Sequence, residues 1–206
     1  MRVLILTACI LFTDQVTKLL VKGFRIPFTD IAVDGMVYGA SKPILGEFFR
    51  LTYIENAGMA FGIEFGGKLL LSLFSIIACG FIIYYLFKIR SEAIGLRISL
   101  ALILGGALGN LIDRIFYGVL YGEAPLFYGK VVDFLDVDFF NINVFGYHMS
   151  RWPVFNVADA SVTIGVLLLL IVHRPISSRT KVASETASPA VDPPSTSSTE
   201  TAISEL

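Results

Sequence analysis

Charge is what this sequence has least of: 16% of its residues are Asp, Glu, Lys or Arg, against about a quarter in an ordinary soluble domain. The net charge is −1, so no basic face exists to attract nucleic acid. Both cysteines, Cys9 and Cys79, fall inside apolar stretches, which predicts buried free thiols and neither a disulfide nor a metal site. The two histidines, His148 and His173, stand alone in sequence, so zinc-ligand spacing is missing and no cofactor is expected. There is no Gly-x-Ser-x-Gly elbow and no histidine close to either cysteine, which removes the usual signals of a nucleophilic serine or thiol. Asp133, Asp136, Asp138 and Asn141 make an acidic cluster, but the loop glycine and closing glutamate of a calcium hand are absent. No internal repeat is visible.

What the chain has instead is apolar length. Its residues are 55% hydrophobic and its mean hydropathy is +0.74. Residues 69–87 carry no charge at all, and as a helix at 1.5 Å per residue they span roughly 30 Å, a bilayer's hydrocarbon core. Residues 3–21, 96–115 and 154–172 are also long enough, but interrupted by Asp14 and Lys18, by Arg97, Asn110, Asp113 and Arg114, and by Asn156 and Asp159. These charges gather near segment ends rather than along a stripe, which favours membrane spans over amphipathic core helices. The expected fold class is therefore a membrane all-α bundle of four transmembrane helices over residues 1–174. From 175 to 206 the chain turns to Ser, Thr, Ala and Pro, a composition that predicts a disordered tail. Leu6-Thr7-Ala8-Cys9 formally resembles a lipoprotein cleavage box, yet the apolar run before it is too short for a signal peptide, so no cleavage at Cys9 is expected.

The connection between the second and third spans is short and basic, with Lys88, Arg90 and Arg97. The positive-inside rule places it, and with four spans both termini, in the cytoplasm. The long connections, 22–67 and 116–153, then face outward. Residues 48–55 followed by the Gly58 turn predict a small hairpin lying on the membrane. Tyr117, Tyr121, Phe127 and Tyr128 suit the interface, as do Phe139, Phe140, Phe145, Tyr147 and Trp152.

Orientation turns a scatter of polar residues into a site. Asp14 and Lys18 rise roughly 18 and 24 Å from the cytoplasmic end, and Asn110, Asp113 and Arg114 roughly 21–27 Å. Asn156 and Asp159 lie within roughly 8 Å of the outer boundary, and Asn56 and Asp133 belong to the outer connections. Intramembrane charges face a bundle interior or a watery cavity, and Asp14 with Lys18, Asn110 with Arg114, and Asn156 with Asp159 are helix neighbours. Gly105 and Gly109 leave room for another helix. Each residue also has a plainer role. Lys18 can snorkel to headgroups, Asp14 can be only its partner, and Asp133, like Asp136 and Asp138, can be a solvated loop acid. Asp113 and Arg114 are adjacent and cannot both face one partner. Asp159, between Ala158 and Ala160 in an apolar span, resists such a reading.

Two carboxylates in a poorly solvated site cannot both ionise comfortably, so they share a proton. The charged member then activates water and the protonated one polarises a peptide carbonyl and protonates the leaving amine.

Five pieces in order carry a family resemblance: Asp14-Gln15-Val16-Thr17-Lys18, Asn56-Ala57-Gly58-Met59-Ala60-Phe61, the run from Gly105 through Asn110 to Asp113-Arg114, Val131-Val132-Asp133-Phe134, and Phe155-Asn156-Val157-Ala158-Asp159. Together they resemble lipoprotein signal peptidase (signal peptidase II). The resemblance implies a four-helix protease of the bacterial inner membrane with a small β-sheet cradle on its outer face. It implies Asp133 and Asp159 as the catalytic dyad, and Asp14, Lys18, Asn56, Gly58, Asn110, Asp113, Arg114 and Asn156 as a supporting polar shell. The substrates would be diacylglyceryl-modified prolipoproteins met in membrane lipid, cut just before the lipidated cysteine, with globomycin-type peptide antibiotics as inhibitors. Three lengths exceed the family pattern: 28–47, 116–130 and 135–153. A transporter or proton relay would instead spread polar residues through the bilayer, and an assembly factor would tolerate Asp→Asn at 133 and 159.

Overall fold

A computed structural model provides the structure, which describes residues 2–26, 28–60, 63–64, 67–138, 142–144, 147–149 and 151–172. In chain order the elements are helix α1 (Val3–Lys22), strands β1 (Phe24–Arg25), β2 (Ala32–Val33), β3 (Ser41–Leu45), β4 (Phe49–Asn56), β5 (Met59–Ala60) and β6 (Ile63–Glu64), then helices α2 (Lys68–Lys88) and α3 (Ile94–Ile112). A π-helical turn (Asp113–Tyr117) and α4 (Gly118–Leu120) prolong α3, followed by β7 (Val131–Val137), β8 (Ile142–Val144), β9 (Tyr147–Met149) and α5 (Val157–Val172). The expected tail, 175–206, lies outside the described residues, as do His173, Phe139, Phe140, Asn141 and Phe145.

Three helices, Val3–Lys22, Lys68–Lys88 and Ile94–Leu120, are long and apolar enough to cross a membrane, and Val157–Val172 is a shorter apolar helix. Two boundaries differ from the sequence reading. The third helix runs past residue 115 to Leu120, because the π turn lets the backbone continue. The fourth begins at Val157 rather than 154, because the residues before it are engaged in strand-like pairing.

Helix α3 is the centre, packed against α1, α2 and α5. Two of its glycines allow that crowding. A Cβ on Gly106 would meet the Ala158 carbonyl oxygen at 2.2 Å, and one on Gly109 would meet Asp14 Oδ2 at 2.5 Å. The close approach expected of Gly105 and Gly109 is thus present, Gly105 and Gly109 admitting α1 and Gly106 admitting α5. A core of Val3, Cys79, Leu86, Leu100, Ala101, Leu104 and Leu111 fills the space among α1, α2 and α3. Cys79 is buried, but Cys9 is exposed, correcting the expectation for that thiol.

Strands β3, β4 and β7 form an antiparallel sheet in that order. The hairpin expected after residue 48 is there in altered form: 49–56 is a strand, but its partners are β3 and β7, and the residues beyond Gly58 form a separate β5–β6 hairpin. One extra residue on β4 between Leu51 and Ile54 shifts the β4–β7 register, a bulge of the kind that re-aims neighbouring side chains. The other edge of β7 is also covered. Phe155 N donates to Leu135 O at 3.0 Å, and Leu135 N to Phe155 O at 2.7 Å. Paired on both edges, β7 is almost wholly buried. A second core of Val21, Tyr53, Tyr117, Val132 and Phe134 seals the sheet against the helices. Tyr117, expected at an interface, is therefore interior.

Candidate active site

The site is built outward from Lys18. Its ammonium is fully buried and contacts Asp14 Oδ2 and Asp113 Oδ2, both at 2.8 Å, and donates to Asn110 Oδ1 at 2.9 Å. A buried cation is tolerated only when paired and hydrogen-bonded, and here three acceptors surround it. Asp14 is more than its i+4 partner, because Asp14 Oδ1 accepts from the Ala158 backbone N–H at 2.9 Å. Lys18 does not snorkel.

Asp113 opens the π-helical turn, an irregularity common at functional sites. Its carboxylate also accepts from Gln15 Nε2 at 2.9 Å and from Val132 N at 3.2 Å, tying α1 and β7 to the end of α3. Gln15 in turn accepts from the Tyr117 hydroxyl at 3.2 Å. Arg114 points elsewhere, as its adjacency to Asp113 requires. Its guanidinium lies within electrostatic reach of Asp113, Asp159 and Asp133, and its buried Nε has no hydrogen-bond partner among the described residues.

The two candidate carboxylates meet through Asn156. The Phe155–Leu135 pairing delivers Asn156 beside β7 just where α5 starts. Asn156 caps that helix: its Oδ1 accepts from Asp159 N at 2.9 Å, and Asp159 Oδ2 accepts from Asn156 N at 3.3 Å. This is the reciprocal capping box of a helix N-terminus, with Asp159 at the third position. Asn156 Nδ2 donates to Asp133 Oδ1 at 2.6 Å and to Asn110 Oδ1 at 3.0 Å. Asn110 Nδ2 completes the circuit by donating to Asp159 Oδ1 at 2.7 Å.

Electrostatics separate the pair. Burial pushes the Asp133 carboxyl up, and the charge of Asp159 pushes it further; Lys18 and the Asn156 amide oppose this, leaving it at about 7. Asp133 thus holds a proton near neutrality. Asp159 is half-buried in the first turn of α5. Beside it opens a cavity of about 310 Å³ lined by Trp152, Phe155, Asp159, Ala160, Thr163 and Ile164.

Of the expected residues, Asp14, Lys18, Asn110, Asp113, Asn156, Asp133 and Asp159 form one hydrogen-bonded network. Asn56 and Gly58 sit at its margin. Asn56 pairs with Val131, two positions along β7 from Asp133, and its Oδ1 accepts from Gly58 N at 2.9 Å. Asp136 and Asp138 are engaged away from it, by Arg151 at 2.7 and 3.5 Å. Sequence reasoning missed Gln15 and Tyr117 as members. Gln15 lay inside a quoted motif, but nothing in its spacing announced its four partners, Asp14, Gly109, Asp113 and Tyr117.

Comparison with known proteins follows the same outline. The profile of the family described as Signal peptidase (SPase) II matches residues 6–174. The lipoprotein signal peptidase of Porphyromonas gingivalis is 36% identical over 195 residues, covering 82% of this chain and 80% of its own. That of Halothermothrix orenii is 37% identical, covering 82% of this chain and 92% of its own. A solved structure described as a bacterial membrane enzyme superposes with a TM-score of 0.61 at 29% identity, over 93% of this chain and 94% of the other.

Proposed function

This chain belongs to the signal peptidase II family, and from that premise we propose that Asp133 and Asp159 are the aspartic pair with which it hydrolyses the signal peptide of a prolipoprotein. Membership makes it an aspartic-type protease acting in the bacterial membrane. The observation that carries the residue assignment is the double hold of Asn156, whose amide binds Asp133 at 2.6 Å while its backbone and side chain bracket Asp159.

In the proposed reaction, water lies between the two carboxylates and attacks the scissile carbonyl carbon. Asp159, which accepts from Asn110, takes the proton from that water. Asp133, protonated near neutral pH, donates to the carbonyl oxygen as the water oxygen bonds to carbon and the C=O double bond opens to a tetrahedral carbon. The proton on Asp159 then passes to the leaving nitrogen, the C–N bond breaks, and one hydroxyl of the tetrahedral carbon returns its proton to Asp133 as the carboxyl forms. The polar shell fixes both acids in place, so geometry is set before substrate arrives. The apolar cavity beside Asp159 suits the hydrocarbon part of a lipid-modified segment.

The finer reading is a bundle of four spans over residues 1–174, with both termini cytoplasmic and the β3–β4–β7 sheet as an outer-face cradle. Cleavage falls just before a diacylglyceryl-modified cysteine, and globomycin-type peptides occupy the dyad. Arg114, Asn56 and Gly58 complete the shell on the substrate's side. The test is a gel-shift assay with purified protein and a diacylglyceryl-modified precursor. Asp133→Asn and Asp159→Asn are each expected to lower the rate at least about a thousandfold while the protein still inserts. Near-normal processing by either variant sinks the dyad.

A further inference from the structure

Outside the network just described, the densest polar cluster is centred on Glu55. Lys22, at the end of α1, is ion-paired with Glu55 of β4, and both side chains are almost buried, at 6% and 7% exposure. The Tyr53 hydroxyl donates to Glu55 at 2.7 Å, and Lys130, one residue before β7, reaches its second oxygen at 3.0 Å. Glu123 meets Lys22 from the connection preceding β7 at 2.7 Å. The Tyr121 ring lies 4.3 Å beneath the same ammonium, and its hydroxyl donates to Gly23 O at 2.7 Å.

Tyr121, Glu123 and Lys130 come from the extra length between Arg114 and Asp133, and the position of Glu55 along the strands gives the cluster a purpose. In the β4–β7 register Ile54 stands opposite Asp133 and Glu55 opposite Val132. Alternation puts Asp133 on one face of β7 and Val132 on the other. Glu55 therefore lies on the face of the sheet opposite the Asp133 side chain, across from the residue that immediately precedes it. Val132 is itself gripped on both backbone atoms, its N–H donating to Asp113 at 3.2 Å and its carbonyl accepting from Asn156 at 3.3 Å.

Helix α1 supplies the fixed reference. Asp14, Lys18 and Lys22 recur every four residues and so share one face. Asp14 holds the start of α5, Lys18 holds Asn110 of α3 and Asp113 of the π-helical turn, and Lys22 holds β4. Resting on the assignment of Asp133 and Asp159 above, we propose that Glu55 is a positioning residue for the reaction: through Lys22 it locks β4, and with it the β7 segment bearing Asp133, to the helix face that carries the polar network. Burial pushes the Glu55 carboxyl up, but Lys22, Tyr53 and Lys130 outweigh it and hold it at about 2. Glu55 therefore stays charged at neutral pH. Glu123 and Lys130 are outer contacts, 41% and 43% exposed, and solvent screens such pairs.

The groups that set the proton on Asp133 are Asp159, Lys18, Asn156 and Asp113, with Arg114 nearby. Displacing β7 changes its distance to all of them, so the pH profile reads the clamp directly. Cleavage of the diacylglyceryl-modified precursor is measured from about pH 5 to 9 for the full-length wild type, Glu55→Gln, Lys22→Met, the double variant, Tyr53→Phe and Glu123→Gln. Glu55→Gln and Lys22→Met are expected to lose about ten- to a hundredfold in kcat, with KM within about twofold. Their pH midpoint should move by about half a unit or more. The double variant should be no worse than the worse single, since one contact is removed in each. Glu123→Gln should keep the wild-type profile. Tyr53→Phe removes one hydrogen bond to Glu55 without baring a charge, so it tests the clamp if the charge variants do not fold; a smaller shift of the midpoint is expected. Wild-type midpoints in Tyr53→Phe and in whichever charge variants fold, with rates falling only as the folded fraction falls, overturn the clamp. So does a Glu123→Gln profile matching that of Glu55→Gln. Wild-type cleavage that survives Asp159→Asn would instead overturn the dyad, so the two failures are distinguishable.

Discussion

Helices α2 and α3 lie side by side with nearly the same apolar character, yet they do different work. Half of the α3 span is buried within the protein, against 17% of that of α2. The buried positions of α2 are Ser72, Cys79 and Leu86, whereas α3 buries Leu100, Ala101, Leu104 and Leu111 and, besides them, Ser99, three glycines and Asn110. Helix α2 thus shows most of its surface outward, where Leu, Ile and Phe satisfy a lipid. Helix α3 spends its surface on neighbours, and its small and polar residues mark where α1 and α5 arrive. Hydropathy finds both helices; only the exceptions to hydropathy tell which one holds a site.

The sharpest way to break this contrast is to remove a polar group from the α1–α3 contact. Lys18→Met leaves the Asp14 and Asp113 carboxylates facing each other without their cation, and losing one partner of a buried pair costs about 3–5 kcal/mol. No folded, active protein is expected by thermal unfolding in detergent or by the gel-shift assay. Ser72→Ala in α2 removes a hydroxyl bonded to Lys68 O within its own helix at 2.9 Å and to Phe127 O at 3.3 Å, and should cost no more than about 1 kcal/mol.

Glycine gives a finer comparison. Gly106→Ala drives a methyl into the Ala158 backbone and should destabilise by about 1–3 kcal/mol, shifting α5 and lowering activity with it. Gly80→Ala in α2, where a Cβ meets nothing within 4 Å, should stabilise by about 0.5–1 kcal/mol. Equal melting shifts for the two would erase the distinction.

A third test uses protons. Asp133, raised to about 7 from a carboxylate's ordinary value, contributes stability that is full below about pH 4 and lost as pH rises through about 7. Its proton-donating form disappears over the same range. The cleavage rate should therefore fall about tenfold per pH unit above 7, and a rate still climbing at pH 9 would remove Asp133 from the acid role. The smallest effect is expected for Cys9→Ala, because Cys9 lies exposed on α1: activity and mature size unchanged by gel and mass.

Much of this was legible beforehand, for a physical reason. Charges inside apolar spans are costly, so Asp14, Lys18, Asn110, Asp113 and Asp159 announced a meeting place before any fold was known. Asp133 announced nothing of the kind. In the sequence it stood level with Asp136 and Asp138, and a family resemblance rather than chemistry chose it. In the structure the three part company: Asp133 accepts from Asn156, while Asp136 is held by Arg151 and Thr52. The π turn, the late start of α5 and the Glu55 cluster were hidden because each depends on partners far away in sequence. Tyr117 misled for the converse reason, since an aromatic beside a span looks the same whether it meets headgroups or a sheet.

The Lys18 contacts bear on how the chain is made. Its partner Asn110 is 92 residues downstream, so at about 5–20 residues per second the ribosome needs roughly 5–20 s to produce it. Through that interval the nascent first helix has only Asp14, one turn back, to neutralise its ammonium. Asp14 is thus a provisional chaperone for Lys18. When α3 and α5 emerge, one carboxylate oxygen of Asp14 keeps the lysine and the other takes the Ala158 amide, and a contact that served entry into the bilayer becomes part of the finished assembly.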